Sequence, residues 1–119
     1  MTVLLIDDEI INRMILRKYL NKNKVYHIIE ASDGEEGFSL FKENENHLDL
    51  IITDYQMPNM NGAELTKKIK LEEESEIPIF LQTAYDYEYT HENLKLEDEF
   101  LRKPININIF TILLERYME

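Results

Sequence analysis

Apolar positions along the chain occur in two patterns that alternate. Residues 3–6 (Val3, Leu4, Leu5, Ile6), 26–31, 48–53, 77–81 and 100–101 are short apolar runs. Between them, apolar residues recur at three- and four-residue spacing. Runs of the first kind read as strands buried on both faces of a parallel sheet, and stretches of the second kind read as helices with one apolar face. The first helix carries Ile11, Ile15, Leu16, Tyr19 and Leu20, and residues 21–24 end it. Asp33-Gly34 opens the second, with Phe38 and Phe41 on its buried face and Gly37 inside at a cost of about 1 kcal/mol relative to alanine. Leu65 and Ile69 mark the third, a short polar helix fits 85–97, and Phe110, Leu113, Leu114 and Tyr117 mark the last. The order predicts an α/β fold of five βα units, (βα)₅, in a single domain over 1–119.

The breaks agree with this order. Residues 44–47 are polar, Met57-Pro58-Asn59-Met60-Asn61-Gly62 is loop chemistry, and Pro78 stands near the start of the fourth run, where a missing donor is tolerated. A formal net charge of −11 disfavours a nucleic-acid or anionic-membrane surface, because phosphate contacts need clustered Lys and Arg. The acidic run Glu72-Glu73-Glu74-Ser75-Glu76 reads as a solvated helix end and loop. No stretch is long enough for a membrane span, and the amino terminus lacks a basic region followed by an apolar core, so a soluble, cytoplasmic chain is expected. The absence of cysteine removes disulfides, thiolate metal sites and cysteine nucleophiles from consideration.

The candidate chemistry lies at the carboxyl ends of the predicted strands, where open α/β sheets bind ligands. Asp7 and Asp8 end the first run, Asp54 ends the third, Thr83 follows the fourth and Lys103 the fifth. Each alone has a plain structural reading: a strand-end Asp or Thr is often a helix cap, and a Lys is often a solvated charge. Gathered carboxylates repel one another, so they either take up protons or bind a cation. With only oxygen ligands on offer the cation would be hard, and Mg²⁺ suits because it uses one or two carboxylates, waters and a phosphate oxygen. A phosphoryl group there needs positive charge and donors around its oxygens, which Mg²⁺, Lys103 and the Thr83 hydroxyl would supply. One carboxylate would then be the nucleophile, and Asp54 is the best placed, standing alone while Asp7 and Asp8 are paired.

The ordered set Asp7-Asp8, Asp54 through Gly62, Thr83-Ala84 and Lys103-Pro104 resembles the receiver domains of two-component response regulators, over the whole chain. The resemblance implies a doubly wound, flavodoxin-like sheet of order 2-1-3-4-5 with helices on both faces. It implies that Asp54 accepts phosphate from a histidine kinase or histidine phosphotransfer protein. Asp8, Asp54 and the Gln56 backbone carbonyl would hold Mg²⁺, with Asp7 acting partly through water. Lys103 would bridge the phosphoryl group and the acidic cluster, the Lys103-Pro104 bond would be cis, and Ala84 would leave access to the phosphate. Thr83 and Phe100 would form the switch, reshaping a downstream protein-binding face built from the fourth helix, last strand and last helix.

Ile11-Asn12-Arg13 and Gln56-Met57-Pro58 are similar to receivers of hybrid sensor kinases and phosphorelays, while a chain from Met1 to Glu119 suits a stand-alone receiver or an excised one. Some positions depart from the family pattern. The stretch between Thr83 and Phe100 is short, with Leu96-Glu97-Asp98-Glu99 in place of a small Gly-Ala pair, and Asn61 stands where many relatives carry Asp. Tyr85, Tyr87 and Tyr89 are expected to pack on neighbouring elements or to form a partner surface. Ile105, Ile107 and Ile109 suit a docking edge or the entry to the last helix. Three other classes compete: a Mg²⁺-dependent aspartyl-phosphate hydrolase of the haloacid-dehalogenase type, a flavodoxin-like flavin carrier, and a non-phosphorylated interaction module. The hydrolase would have two first-strand aspartates two apart and a cap domain, the flavin carrier a loop rich in Ser, Thr and Gly, and the module would lack Asp54 or Lys103.

Overall fold

Each apolar run becomes a strand whose alternate side chains enter two separate cores. The computed structural model describes residues 1–84 and 96–118. The elements are β1 (Thr2–Ile6), α1 (Ile10–Lys22), β2 (His27–Ala31), α2 (Gly34–Asn44), β3 (Leu50–Asp54), α3 (Gly62–Lys67) continued by a π-helical turn (Lys68–Glu72), β4 (Ile79–Thr83), β5 (Glu99–Arg102) and α4 (Ile107–Glu115). The five strands form one parallel sheet in the order β2-β1-β3-β4-β5. This is the doubly wound order 2-1-3-4-5 that the family resemblance implied.

On one face Val3, Leu5, Leu50, Ile52 and Phe80 pack with Leu16 and Leu20 of α1 and Phe110 and Leu114 of α4. On the other, Leu4, Ile6, Ile51 and Ile79 pack with Phe41 of α2, Leu65 of α3 and Ile69. Each such side chain, taken fully out of water, contributes about 1.5–3 kcal/mol. Gly37 has a packing reason: a Cβ there would stand 2.6 Å from Ile6 Cδ1, so the gap lets α2 lie close against β1.

The helices start where capping side chains allow. Asp33 accepts from Glu36 N at 2.7 Å. Asn106 accepts from Asn108 N and Ile109 N. Asn61 and Glu64 form a reciprocal capping box, so the Asn that replaces the family's frequent Asp still caps α3. Ile105 is buried, Ile107 opens α4 and Ile109 is exposed, so the alternating Ile and Asn stretch leads into the last helix with one isoleucine in the core and one at the surface.

Several boundaries differ from expectation. β3 and β4 begin two residues later than predicted and end on Asp54 and Thr83 themselves, one and two residues later. The shift follows from pairing: Leu50 and Ile79 start the ladders, and Asp49 bonds Thr2 through both its backbone and side chain. Tyr26 is left outside β2 and exposed. Tyr117 lies beyond α4, and its ring packs edge-on against Phe80 at 5.3 Å. The predicted fourth helix and its tyrosines Tyr85, Tyr87 and Tyr89 lie outside the described residues, apart from Leu96 and Glu97.

Candidate functional site

The site assembles at the carboxyl edge of the sheet because parallel strands all deliver their last residues to the same side. Ile6 pairs with Thr53, Asp54 with Gln82, and Thr83 with Arg102, which puts Asp7, Asp54, Thr83 and Lys103 on adjacent strand ends. Asp54, Thr83 and Lys103 border a cleft of about 680 Å³ whose lining also includes Asp8, Glu9, Gln56 and Ala84, with Asp7 buried behind it. Backbone bonds lock its walls: Tyr55 N donates to Gln82 O at 2.8 Å, Gly62 N to Tyr55 O at 2.7 Å, and Lys103 N to Thr83 O at 2.8 Å. The Lys103-Pro104 peptide is cis.

Asp7 is fully buried and Asp54 only 4% exposed. Lys103 Nζ lies 3.1 Å from Asp54 Oδ1, 3.4 Å from Glu9 Oε1 and 3.7 Å from Asp7 Oδ2. Burial, followed by the charge of Asp7, raises the Asp54 carboxyl to about 6, against the opposing pull of Lys103. Burial would lower the Lys103 ammonium, but its bond to Asp54 and the charges of Asp7, Asp54 and Glu9 hold it above its ordinary value. Among the described residues, the arrangement is a negatively charged pocket with Lys103 beside the raised carboxyl of Asp54.

Oxygens of Asp7, Glu9 and Asp54 lie within 4.8 Å of one another, with Glu9 exposed, and the likewise exposed Asp8 and Gln56 line the same cleft. Glu9 was visible in the sequence only as the third member of an acidic run. Its position just before α1 turns its carboxylate toward Lys103. An all-oxygen set with two buried carboxylates and neutralisation by a single lysine suits a hard divalent cation such as Mg²⁺. Asp7, Glu9 and Asp54 could hold it, with Asp8 and Gln56 within the same cleft.

Two further residues reach the site that strand-end reasoning missed, Asn12 and Gln82. Gln82 Nε2 donates to Asp7 Oδ2 at 3.1 Å, and Asn12 Nδ2 bonds both Asp7 Oδ2 and Gln82 Oε1. A glutamine inside the buried run Ile79-Phe80-Leu81-Gln82 was the available signal, since a buried amide needs partners. Arg13 braces the Asp7 backbone instead, donating to its carbonyl while its Nε pairs with Glu30 on β2 at 3.0 Å. Glu30 loses hydration by burial, yet its bonds to Arg17 and Arg13 hold its carboxyl below the usual value. Of the proposed switch pair, Thr83 is buried and Phe100 is 37% exposed on β5.

The family model for the response regulator receiver domain matches residues 3–115. The chain belongs to the receiver domain family. Receiver domains of this family serve two-component and phosphorelay systems. This receiver domain is 43% identical over 84 residues to the sensor protein EvgS of Escherichia coli K12, a match covering 71% of the chain and 7% of EvgS. It is 35% identical over 118 residues to the autoinducer 1 sensor kinase/phosphatase LuxN of Vibrio campbellii, covering 98% of the chain and 13% of LuxN. The receiver thus spans only a small part of these relatives' length. Among solved structures, it superimposes with a TM-score of 0.84 and 26% identity on a chain from the Saccharomyces cerevisiae complex of the histidine phosphotransfer protein Ypd1 with the receiver domain of Ssk1, covering 98% of this chain and 88% of that one. Among the described residues no helix is long and apolar enough to cross a membrane.

Proposed function

We propose that Asp54 is the phosphoacceptor of this receiver domain, taking a phosphoryl group from a phosphohistidine on a histidine kinase or histidine phosphotransfer protein. The observation that carries this reading is the buried Asp54 carboxylate, with Lys103 Nζ 3.1 Å away and the oxygens of Asp7 and Glu9 gathered beside it. With a carboxyl at about 6, Asp54 is mostly ionised at neutral pH and available as a nucleophile. One Asp54 oxygen forms the bond to phosphorus as the bond to the donor imidazole breaks, and the imidazole nitrogen recovers its proton from solvent. Lys103 donates to a phosphoryl oxygen, and the Thr83 hydroxyl donates to another. Mg²⁺, when bound, would supply the remaining positive charge at the phosphoryl group, and Asp7, Asp8, Glu9, Asp54 and the Gln56 backbone carbonyl would hold it.

The domain acts in this reading as a stoichiometric phosphoacceptor that promotes its own phosphorylation and dephosphorylation, in one unit over 1–119 and in the cytoplasm. Phosphorylation draws Thr83 toward the new charge, Phe100 turns into the space, and the face that includes β5 and α4 changes its affinity for a downstream protein. The histidine phosphotransfer protein in the Ypd1–Ssk1 complex and the sensor kinases among the relatives support the choice of donor.

Incubation with a small acyl phosphate and MgCl₂, followed by intact-mass measurement, tests the proposal. One added phosphate is expected on the wild type and none on Asp54→Asn. Undiminished labelling of Asp54→Asn would overturn the assignment, as would an unlabelled wild type.

A further inference from the structure

Gln82 is fully buried in a strand whose preceding residues, Ile79, Phe80 and Leu81, are all apolar. It continues the row that Phe80 begins on the sheet face covered by α1 and α4, just as Asp7 continues Val3 and Leu5, and Asp54 continues Leu50 and Ile52. At the carboxyl edge this core layer therefore changes from hydrocarbon to three polar groups. A buried amide without partners costs about 1–3 kcal/mol, so the partners Gln82 finds decide its role.

Those partners are ordered. Asn12, in the first turns of α1, uses Nδ2 toward both Asp7 Oδ2 and Gln82 Oε1, the latter at 3.3 Å. Gln82 Nε2 donates to the same Asp7 oxygen at 3.1 Å. The other oxygen, Oδ1, accepts from Glu9 N at 2.8 Å. Turning the Gln82 amide over would set its oxygen against the carboxylate and its NH₂ against that of Asn12, so the network admits one orientation. Backbone bonding ties the same residue to the neighbouring strand, since Gln82 O accepts from Tyr55 N.

We propose that Asn12 and Gln82 are positioning residues for Asp7, an amide pair that fixes its carboxylate for a divalent cation at the Asp54 pocket. Two neutral amides, from α1 and from β4, hold the plane of the carboxylate while leaving its negative charge intact. A lysine in either place would orient Asp7 equally well but cancel the charge that attracts the cation. Groups that orient a ligand in this way typically alter metal affinity by 10–100-fold when removed.

The inference rests on the reading of this pocket as a Mg²⁺ site, and its test separates the two. Calorimetric titration of MgCl₂ is made into wild type, Asp7→Asn, Gln82→Met, Asn12→Ala and the Gln82→Met/Asn12→Ala double variant. Urea melts of each in chelator report the metal-free fold. Gln82→Met keeps the length of the side chain and removes both polar ends. Mg²⁺ binding is expected to weaken roughly tenfold in each amide variant, beyond any change in the chelator melts. Because both amides act on one oxygen, the double variant should lose less than the product of the two single effects. A wild type that does not bind Mg²⁺ overturns the metal-site reading and this inference with it. A wild type that binds, with Gln82→Met and Asn12→Ala both within twofold of it, overturns the positioning role alone. If Gln82→Met does not fold, Asn12→Ala decides, since its side chain is half-buried at the start of a helix and its loss leaves no gap in the apolar core.

Discussion

Replacing Asp54 by asparagine should stabilise the metal-free domain at neutral pH, and by an amount that depends on pH. The Asp54 carboxyl is 4% exposed and is raised from the ordinary 3.8 to about 6, first by burial and then by the charge of Asp7. A carboxyl raised on folding binds its proton more tightly in the native state than in the unfolded chain. Between those two values the folded protein carries more protons, so stability falls as pH rises through that window and is level above it. A rise of this size corresponds to about 3 kcal/mol of lost stability at pH 7.5, about 2 kcal/mol of it between pH 4.5 and 7.5. Asparagine has a similar shape and no charge, so Asp54→Asn escapes the loss. Urea denaturation in chelator at pH 4.5, 5.5, 6.5 and 7.5 reads the effect directly. The variant's midpoint should move ahead of the wild type by roughly 1 M more urea at pH 7.5 than at pH 4.5. A difference that stays constant across the series, or a wild type that gains on the variant as pH rises, would refute the account of Asp54 as a carboxylate strained by burial and by Asp7.

Mg²⁺ should reverse that penalty: at a hundred times its Kd it should add about 2.7 kcal/mol to the wild type, with far less for Asp54→Asn, read from urea melts with and without the ion. Gly62→Ala should destabilise by about 1–3 kcal/mol, since overpacking forces the backbone to shift. A Cβ there would sit 2.2 Å from the Asp54 carbonyl and 2.7 Å from Leu81 Cδ1, so acyl-phosphate labelling should slow as well as the melting temperature fall. Asn61→Ala removes the capping box of α3 and should cost about 1 kcal/mol in thermal or urea melts, whereas Asn61→Asp should stay near the wild type.

Much of the domain was legible in the order of its residues because parallel strands buried on both faces are unbroken apolar runs, and their covering helices show a 3.6-residue period. Asp54, Thr83 and Lys103 could be picked out for the same reason: polar residues that end such runs must meet at one edge of the sheet. Boundaries were harder. β3 and β4 begin where a neighbouring strand offers hydrogen bonds, and no local pattern in 48–53 or 77–81 reveals where the ladder starts. Tyr117 keeps the spacing of the last helix yet leaves it, since its ring finds Phe80 and its hydroxyl finds Glu99.

The sequence by itself determined the α/β alternation, the two apolar faces and the gathering of acid and lysine at one edge, because these depend on periodicity and chain direction. Only the tertiary structure decided which groups act together. Glu9, though largely exposed, brings its carboxylate within 4.8 Å of those of Asp7 and Asp54, while Asp8 lines the same cleft, a proximity set by the turn from β1 into α1. Asn12 and Gln82, far apart in the chain, meet on a single oxygen of Asp7 because the first turn of α1 and the end of β4 both reach the end of β1. Distances of this kind, between side chains on different elements, arise from packing and are not encoded in any local run of residues.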